Sequence, residues 1–250
     1  MCGDGANDAP ALRQAQMGIA VSTATDVAKS SAGIVLTEPG LGGIVAAVKE
    51  GRTTFQRILT YTLRTIIHKV VQVLFLAIGL IITRQAILTP MLMVLMMVTG
   101  DFLAMSSSTD NVRPSPTPSV WRIGNLTVAG VIMGVFDLMF CVACFATGRF
   151  VLGLDTGALR TLTVVTLVFS GQAVLYVVRE RRHVWSSCPG RWLMACSVAD
   201  LMIVSLLAAN GVLMTPLPIA ILAGLFGAAV VFVFLLDAIK VALFHRLRIA

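Results

Sequence analysis

The chain has 250 residues, 57% of them hydrophobic and only 12% charged, with a formal net charge of +7; mean hydropathy is +0.91 and the isoelectric point about 9.6. Soluble domains carry about 25% charged residues, so this composition excludes an ordinary soluble protein and reads as a polytopic membrane protein. The basic residues stand scattered at the ends of apolar runs and not on one amphipathic face, which excludes a nucleic-acid partner and reads as topogenic charge.

The N-terminal stretch lacks the basic region, short apolar core and small-residue cleavage site of a secretory signal, and reads as cytoplasmic. It opens MCGDGANDAPAL. Its glycines permit a tight turn, and Asp4, Asn7 and Asp8 can point into one small polar volume. Pro10, followed by ALRQA, fits the first turn of a helix. GIAVS at 18–22 and AGIVLTEP at 32–39 are short β-prone runs, and TATDVAKSS at 23–31 can start a capped helix between them. This alternation predicts a small piece of α/β sheet over residues 1–40. A stalk helix over 41–64 follows, carrying Lys49, Glu50, Arg52 and Arg57.

A membrane span needs about 20 apolar residues, because about 30 Å of hydrocarbon is crossed at about 1.5 Å per residue. Six stretches qualify, at 65–83, 89–107, 126–147, 159–178, 192–213 and 217–244. The expected fold class is therefore an all-α membrane bundle of six transmembrane helices over 65–250, preceded by the α/β piece. With a cytoplasmic N-terminus, Arg113, Arg122, the run RERRH at 179–183, Arg191, Lys240, Arg246 and Arg248 fall inside; Arg84, Arg149 and Arg160 fall outside. This positive-inside asymmetry predicts that both termini are cytoplasmic. Trp121, Trp185 and Trp192 stand near span boundaries, as interfacial aromatics do. The five cysteines are odd in number and do not form a disulfide framework; Cys141 and Cys144, spaced C-x-x-C inside an apolar helix, lack the further ligands zinc needs. His68 reads as a stalk or interface residue. The methionine-rich run at 91–98 reads as lipid or core packing, because adjacent methionines do not share a helix face.

Two carboxylates and an amide are hard oxygen ligands, and they suit Mg²⁺, which takes one or two carboxylates and leaves room for phosphate oxygens. A bare GDG is equally well a surface turn. The whole string decides between them: GDGANDAPAL at 3–12 resembles the G-D-G-x-N-D-x-P-A-L hinge motif of P-type ATPases at every specified position. The continuation is similar too, through MGIAV, TDVAKSSAGIVLTEPGL and FQRILTYT. Further on, STDNVRPSPTPSVW at 108–121 resembles the D-x-V-x-P-S-P-x-P-x-x-W stretch of the plasma-membrane proton-exporting branch.

The resemblance implies that residues 1–40 are the end of a HAD-like phosphorylation domain and that the spans are the last six of the family's ten. It implies Asp4 and Asp8 at the Mg²⁺ site, Asn7 at the phosphoryl group, and Asp8 in support of that site. ATP hydrolysis through an aspartyl-phosphate, with ATP and Mg²⁺ as cofactors, would drive export of a cation, most simply H⁺, across the plasma or inner membrane. Coupling would run from the hinge through the stalk to the spans. The D-K-T-G-T block with its phosphorylated aspartate, the T-G-E loop and the nucleotide domain have no counterpart in the sequence. The expectation is thus a truncated gene or fragment that is inactive alone, or one that associates with a separately encoded N-terminal half. A non-catalytic membrane remnant is the reading from another class, and a pump for Mg²⁺, Ca²⁺ or another cation the remaining alternative.

Charged groups within spans are functional candidates by default, costing about 2.5–3.5 kcal/mol on insertion scales. Asp101 lies midway along the second span behind Gly100, where a helix can unwind or a neighbour approach closely. Desolvation and a nearby cation act on such a carboxylate in opposite directions, so it can load and release a proton. The resemblance makes it the proton acceptor. Lys69 is its expected counter-ion, with snorkelling to the interface as the plain alternative. Plant and fungal members of the proton-pump branch carry an arginine about two positions later, where this chain has Val71 and Gln72. Asp137 and Asp200 are expected to make helix-packing hydrogen bonds to Ser or Thr. Asp237 is expected to be hydrated or paired with Lys240.

Overall fold

The computed structural model describes residues 1–40, 42–115 and 121–247. The start of the expected stalk at Leu41, the stretch 116–120 of the proline-rich loop and Arg248 lie outside the described residues. The chain divides into two compact units, Met1–Thr54 and Phe55–Ala250.

In the first unit, strands β1 (Cys2–Gly3), β2 (Ile19–Ala20) and β3 (Ile34–Val35) form a parallel sheet in that order. Cys2 pairs with Ile19 and Gly3 with Ala20; Ile19 pairs with Ile34 and Ala20 with Val35. Parallel neighbours need crossover connections, supplied here by α1 (Ala9–Gln14) and α2 (Asp26–Ser31). Pro10 falls in the first turn of α1, where its missing N–H costs nothing. Thr25 caps α2, its hydroxyl accepting the Ala28 N–H at 3.4 Å. Leu12, Ala20, Ala24 and Ala28 form the small core between sheet and helices. The expected α/β alternation is present, as a sheet of short strands.

Helix α3 (Gly42–Thr83) runs 42 residues without a break, about 63 Å at the α-helical rise. The expected stalk and first span are thus one continuous element. The second unit continues with α4 (Pro90–Ser107), α5 (Ile123–Ala146), α6 (Thr156–Arg179), α7 (Arg191–Asn210) and α8 (Ile219–Leu247). Among the described residues six helices, α3 to α8, are long and apolar enough to cross a membrane; α4 to α8 lie within a few residues of the expected spans, and α3 joins the expected stalk to the first. A π-helical turn, Thr147–Val151, extends α5.

Helix α6 is the axis of this unit. The most apolar window of α6 is 89% buried, against 39% or less in every other candidate span. It packs on α4, α5, α7 and α8, and its buried face includes Thr161, Thr163, Thr166, Ser170 and Gln172. Because it is enclosed by protein, these polar side chains avoid lipid. Helix α5 approaches α3 through Gly130 and Gly134: a Cβ at Gly130 would stand 2.6 Å from Ile66 Cγ2, and one at Gly134 3.1 Å from Val70 Cγ1. This is the small-x-x-x-small device by which apolar helices gain backbone proximity in place of a hydrophobic driving force. Aromatic pairs close other seams, with Phe75 edge-on to Phe145 at 5.9 Å and Phe140 stacked on Phe232 at 4.4 Å.

Candidate functional site

The motif at the head of the chain forms a turn immediately after β1. Gly3 is obligatory there: a Cβ would lie 2.7 Å from Asp8 Cβ. A 3-10 turn over Ala6–Asp8 brings Asp8 back beneath the strand end, and its Oδ2 accepts the N–H groups of Asp4 and Gly5, both at 3.1 Å. The Asp4 carbonyl in turn accepts the Thr25 N–H at 2.9 Å, tying the turn to the start of α2. One oxygen of Asp8 is therefore spent on the backbone, while Oδ1 remains for a ligand. The Asp4 and Asn7 side chains are exposed at the same turn. The donor set of Asp4 and Asp8 suits Mg²⁺, which needs few protein carboxylates when substrate and water complete its shell.

Asp101 and Lys69 are both exposed, on α4 and α3. Among the described residues no ion pair joins them. Helix α4 continues through Gly100, and a Cβ there would meet nothing within 4 Å; the glycine neither unwinds the helix nor admits a close neighbour. Arg64 on α3 interacts electrostatically with both Asp101 and Asp200. The sequence reading missed Arg64, because it falls at the junction of stalk and span and reads there as an interfacial charge.

Asp200, on α7, is only 8% exposed. Gln172 Nε2, on α6, donates to Asp200 Oδ2 at 2.6 Å, and Ser197 Oγ donates to Gln172 Oε1. Thr99 of α4 is a polar neighbour of the Asp200 carboxyl. The residue that hydrogen-bonds Asp200 directly is thus a glutamine that the sequence did not single out, held in turn by Ser197. Asp137 is buried on α5, with the Cys141 thiol directed at its Oδ1 over a long 3.9 Å and at Ser170 Oγ over 3.5 Å. Cys141 and Cys144 are free thiols. Among the described residues no group of His, Cys, Asp and Glu side chains is arranged as a metal cluster.

The best-built polar assembly lies at one end of the bundle. Arg179, the last residue of α6, pairs with Asp110 just beyond α4 at 2.9 Å, both side chains 3% exposed. Asp110 also accepts the Gly190 N–H at 2.8 Å, its carbonyl accepts from Arg57, and Arg179 donates to the Ser187 and Cys188 carbonyls. Arg181 reaches back to α3, donating to Gln56 Oε1 at 3.2 Å and Thr60 Oγ1 at 3.1 Å. Burial lowers the Arg181 pKa to about 10, partly opposed by Glu180. Burial acts to raise Glu180, but hydrogen bonds from Ser187, Arg182 and Arg181 and the charge of Arg179 outweigh it and hold the carboxyl below its ordinary range.

Lys240, fully buried on α8, caps the end of α6 by donating to the carbonyls of Val177, Glu180 and Arg182, and pairs with Asp237 at 2.6 Å. Asp237 also meets His183 Nδ1 at 2.9 Å and accepts the Val184 N–H at 3.1 Å. The expected Asp237–Lys240 pair is present.

No family model matches the chain. Over all 250 residues it is 31% identical to a protein of Methanocaldococcus jannaschii named "Putative cation-transporting ATPase", and it spans 31% of that protein's length. With its six candidate spans, the chain is a multi-pass membrane protein, homologous from end to end to part of a protein named as a cation-transporting ATPase.

Proposed function

We propose that the chain is the ion-conducting portion of a P-type cation pump, together with the closing piece of its phosphorylation domain, and that the transported ion is H⁺. The observation that carries this reading is the agreement of the GDGANDAPAL string with the turn it forms: Gly3 makes room for Asp8, and Asp8 locks the backbone that presents Asp4 and Asn7. Similarity over all of this chain to about a third of a protein named as a cation-transporting ATPase supports it.

In this reading Asp4 and Asp8 Oδ1 hold Mg²⁺, which when bound neutralises charge on the phosphoryl group. Asn7, beside them, contacts that group. The nucleophilic aspartate, the nucleotide domain and the remaining spans belong to other parts of the pump, which can be encoded separately. Asp101 takes up and releases the proton, with Arg64 as its cation and Lys69 in a supporting position. Both carboxyl and lysine are exposed in this chain, and a charge open to hydrocarbon costs about 2.5–3.5 kcal/mol, so the reading expects further helices against the α3–α4 face. By the positive-inside rule both termini are cytoplasmic, and the membrane is the plasma or inner membrane.

The test is ATP-driven acidification of vesicles by the complete pump carrying Asp101→Asn. Acidification should be largely lost, because an intramembrane carboxyl on an ion path is a functional group. Undiminished acidification would remove Asp101 from the proton path. In parallel, Asp4→Asn should abolish phosphoenzyme formation at Mg²⁺ concentrations that saturate the wild type, and chelation of Mg²⁺ should do the same.

A further inference from the structure

Asp200 is a buried carboxyl that the proposed transport path does not use. Its Oδ2 accepts from Gln172 Nε2, but its Oδ1 is buried with no hydrogen-bond partner. A carboxylate oxygen left unpaired inside a membrane protein is strongly disfavoured, and such groups neutralise in preference to staying charged. We propose that Asp200 is a second proton-binding group of the transmembrane unit, carrying the proton on Oδ1.

The direction of the surrounding hydrogen bonds supports this placement. Ser197 donates to Gln172 Oε1, and Gln172 donates to Asp200 Oδ2. These donors run one way, from Ser197 through Gln172 to Asp200 Oδ2, and leave Oδ1 as the oxygen that holds the proton. Turning the Gln172 amide over would set two acceptors, Oε1 and Oδ2, against each other, and a proton on Oδ2 would resolve that clash, so either orientation of the amide calls for a protonated Asp200. The step is simple addition of H⁺ to the carboxylate, with no bond broken.

The charged groups around Asp200 agree. Helix α6 contributes neutral Gln172, α4 contributes Thr99, α7 itself contributes Ser197, and the nearby cation is Arg64 of α3. Arg64 also interacts with Asp101. One guanidinium thus interacts with two carboxyls, and a proton on one of them leaves the three charges balanced. A metal ion fits less well, because hard cations take about six oxygen ligands and here an amide N–H is directed at the carboxylate. The inference does not depend on Asp101 transporting H⁺.

Infrared pH-difference spectra of the full chain in lipid, in H₂O and D₂O, provide the test. The wild type should show an acid C=O band that shifts in D₂O, and Asp200→Asn should lose it, while Asp137→Asn should keep it. Gln172→Leu should move the band in frequency without removing it, a response that a purely structural role for Asp200 would not produce. An unchanged set of acid bands in a folded Asp200→Asn protein overturns the proposal. So does a saturable loss of the band when Na⁺, K⁺ or Ca²⁺ is added at fixed pH, which would mark a metal site. If Asp200→Asn does not fold, Asp200→Glu decides: the acid band must move, and an unmoved band overturns the assignment.

Discussion

Arg179 and Asp110 show how much depends on a single contact in this molecule. Both are buried, and each satisfies backbone groups as well as its partner. Removing one partner of such a pair leaves an uncompensated buried charge and costs about 3–5 kcal/mol. Arg179→Met should therefore lower stability by about that amount in SDS-induced unfolding of the purified protein, and adding Asp110→Leu should restore part of it. A second residue-scale prediction concerns acid. The Glu180 pKa in the folded protein lies below its ordinary value, so its carboxylate stabilises the fold above the unfolded pKa of about 4.3, and that contribution is lost as pH falls through the lower folded value. The stability difference between wild type and Glu180→Gln should be present near neutrality and vanish in strong acid, as read from unfolding curves across pH. A difference that instead grew with acid would mean the opposite shift.

At the scale of elements, helix formation and helix packing have separate causes. The long apolar runs are sufficient to make helices, and their lengths match a bilayer. Which faces meet is decided by small residues and buried polar groups. Gly130→Val should overpack the α3–α5 seam against Ile66, costing about 1–3 kcal/mol; Ile66→Ala in the same chain should recover a substantial part. A Gly130→Val protein as stable as wild type would show that the helices are not held at this distance. Helix α6 has its polar groups turned inward and its C-terminal carbonyls capped by Lys240 from α8. A lysine at that position reads in sequence as a loop-proximal, hydrated charge, and its complete burial follows only from the neighbouring helix end.

At the scale of the whole molecule, the proposed topology has a direct readout in the native cysteines. Cys2 and Cys188 are exposed, and Cys188 lies in the connection between α6 and α7. Both should react with a membrane-impermeant maleimide from the same, cytoplasmic, side of sealed vesicles. Labelling of the two from opposite sides would overturn the even-numbered arrangement of spans.

The sequence by itself determined the six spans, because hydrophobic length is a local property that bilayer thickness reads directly. It also determined the turn chemistry of GDGANDAPAL, where glycine and a local Asp8 side chain make contacts within a few residues. It was enough, too, to single out Asp101, Asp137 and Asp200 as costly charges. Their partners were not legible. Gln172 and Asp200 are 28 residues apart, Arg179 and Asp110 are 69 apart, and Arg181 and Gln56 are 125 apart. Such pairs depend on helix rotation and neighbour choice, which an almost uniformly apolar surface does not encode locally. For that reason only the tertiary structure decided that Arg64 interacts with both Asp101 and Asp200, and that one oxygen of Asp200 was left without a partner.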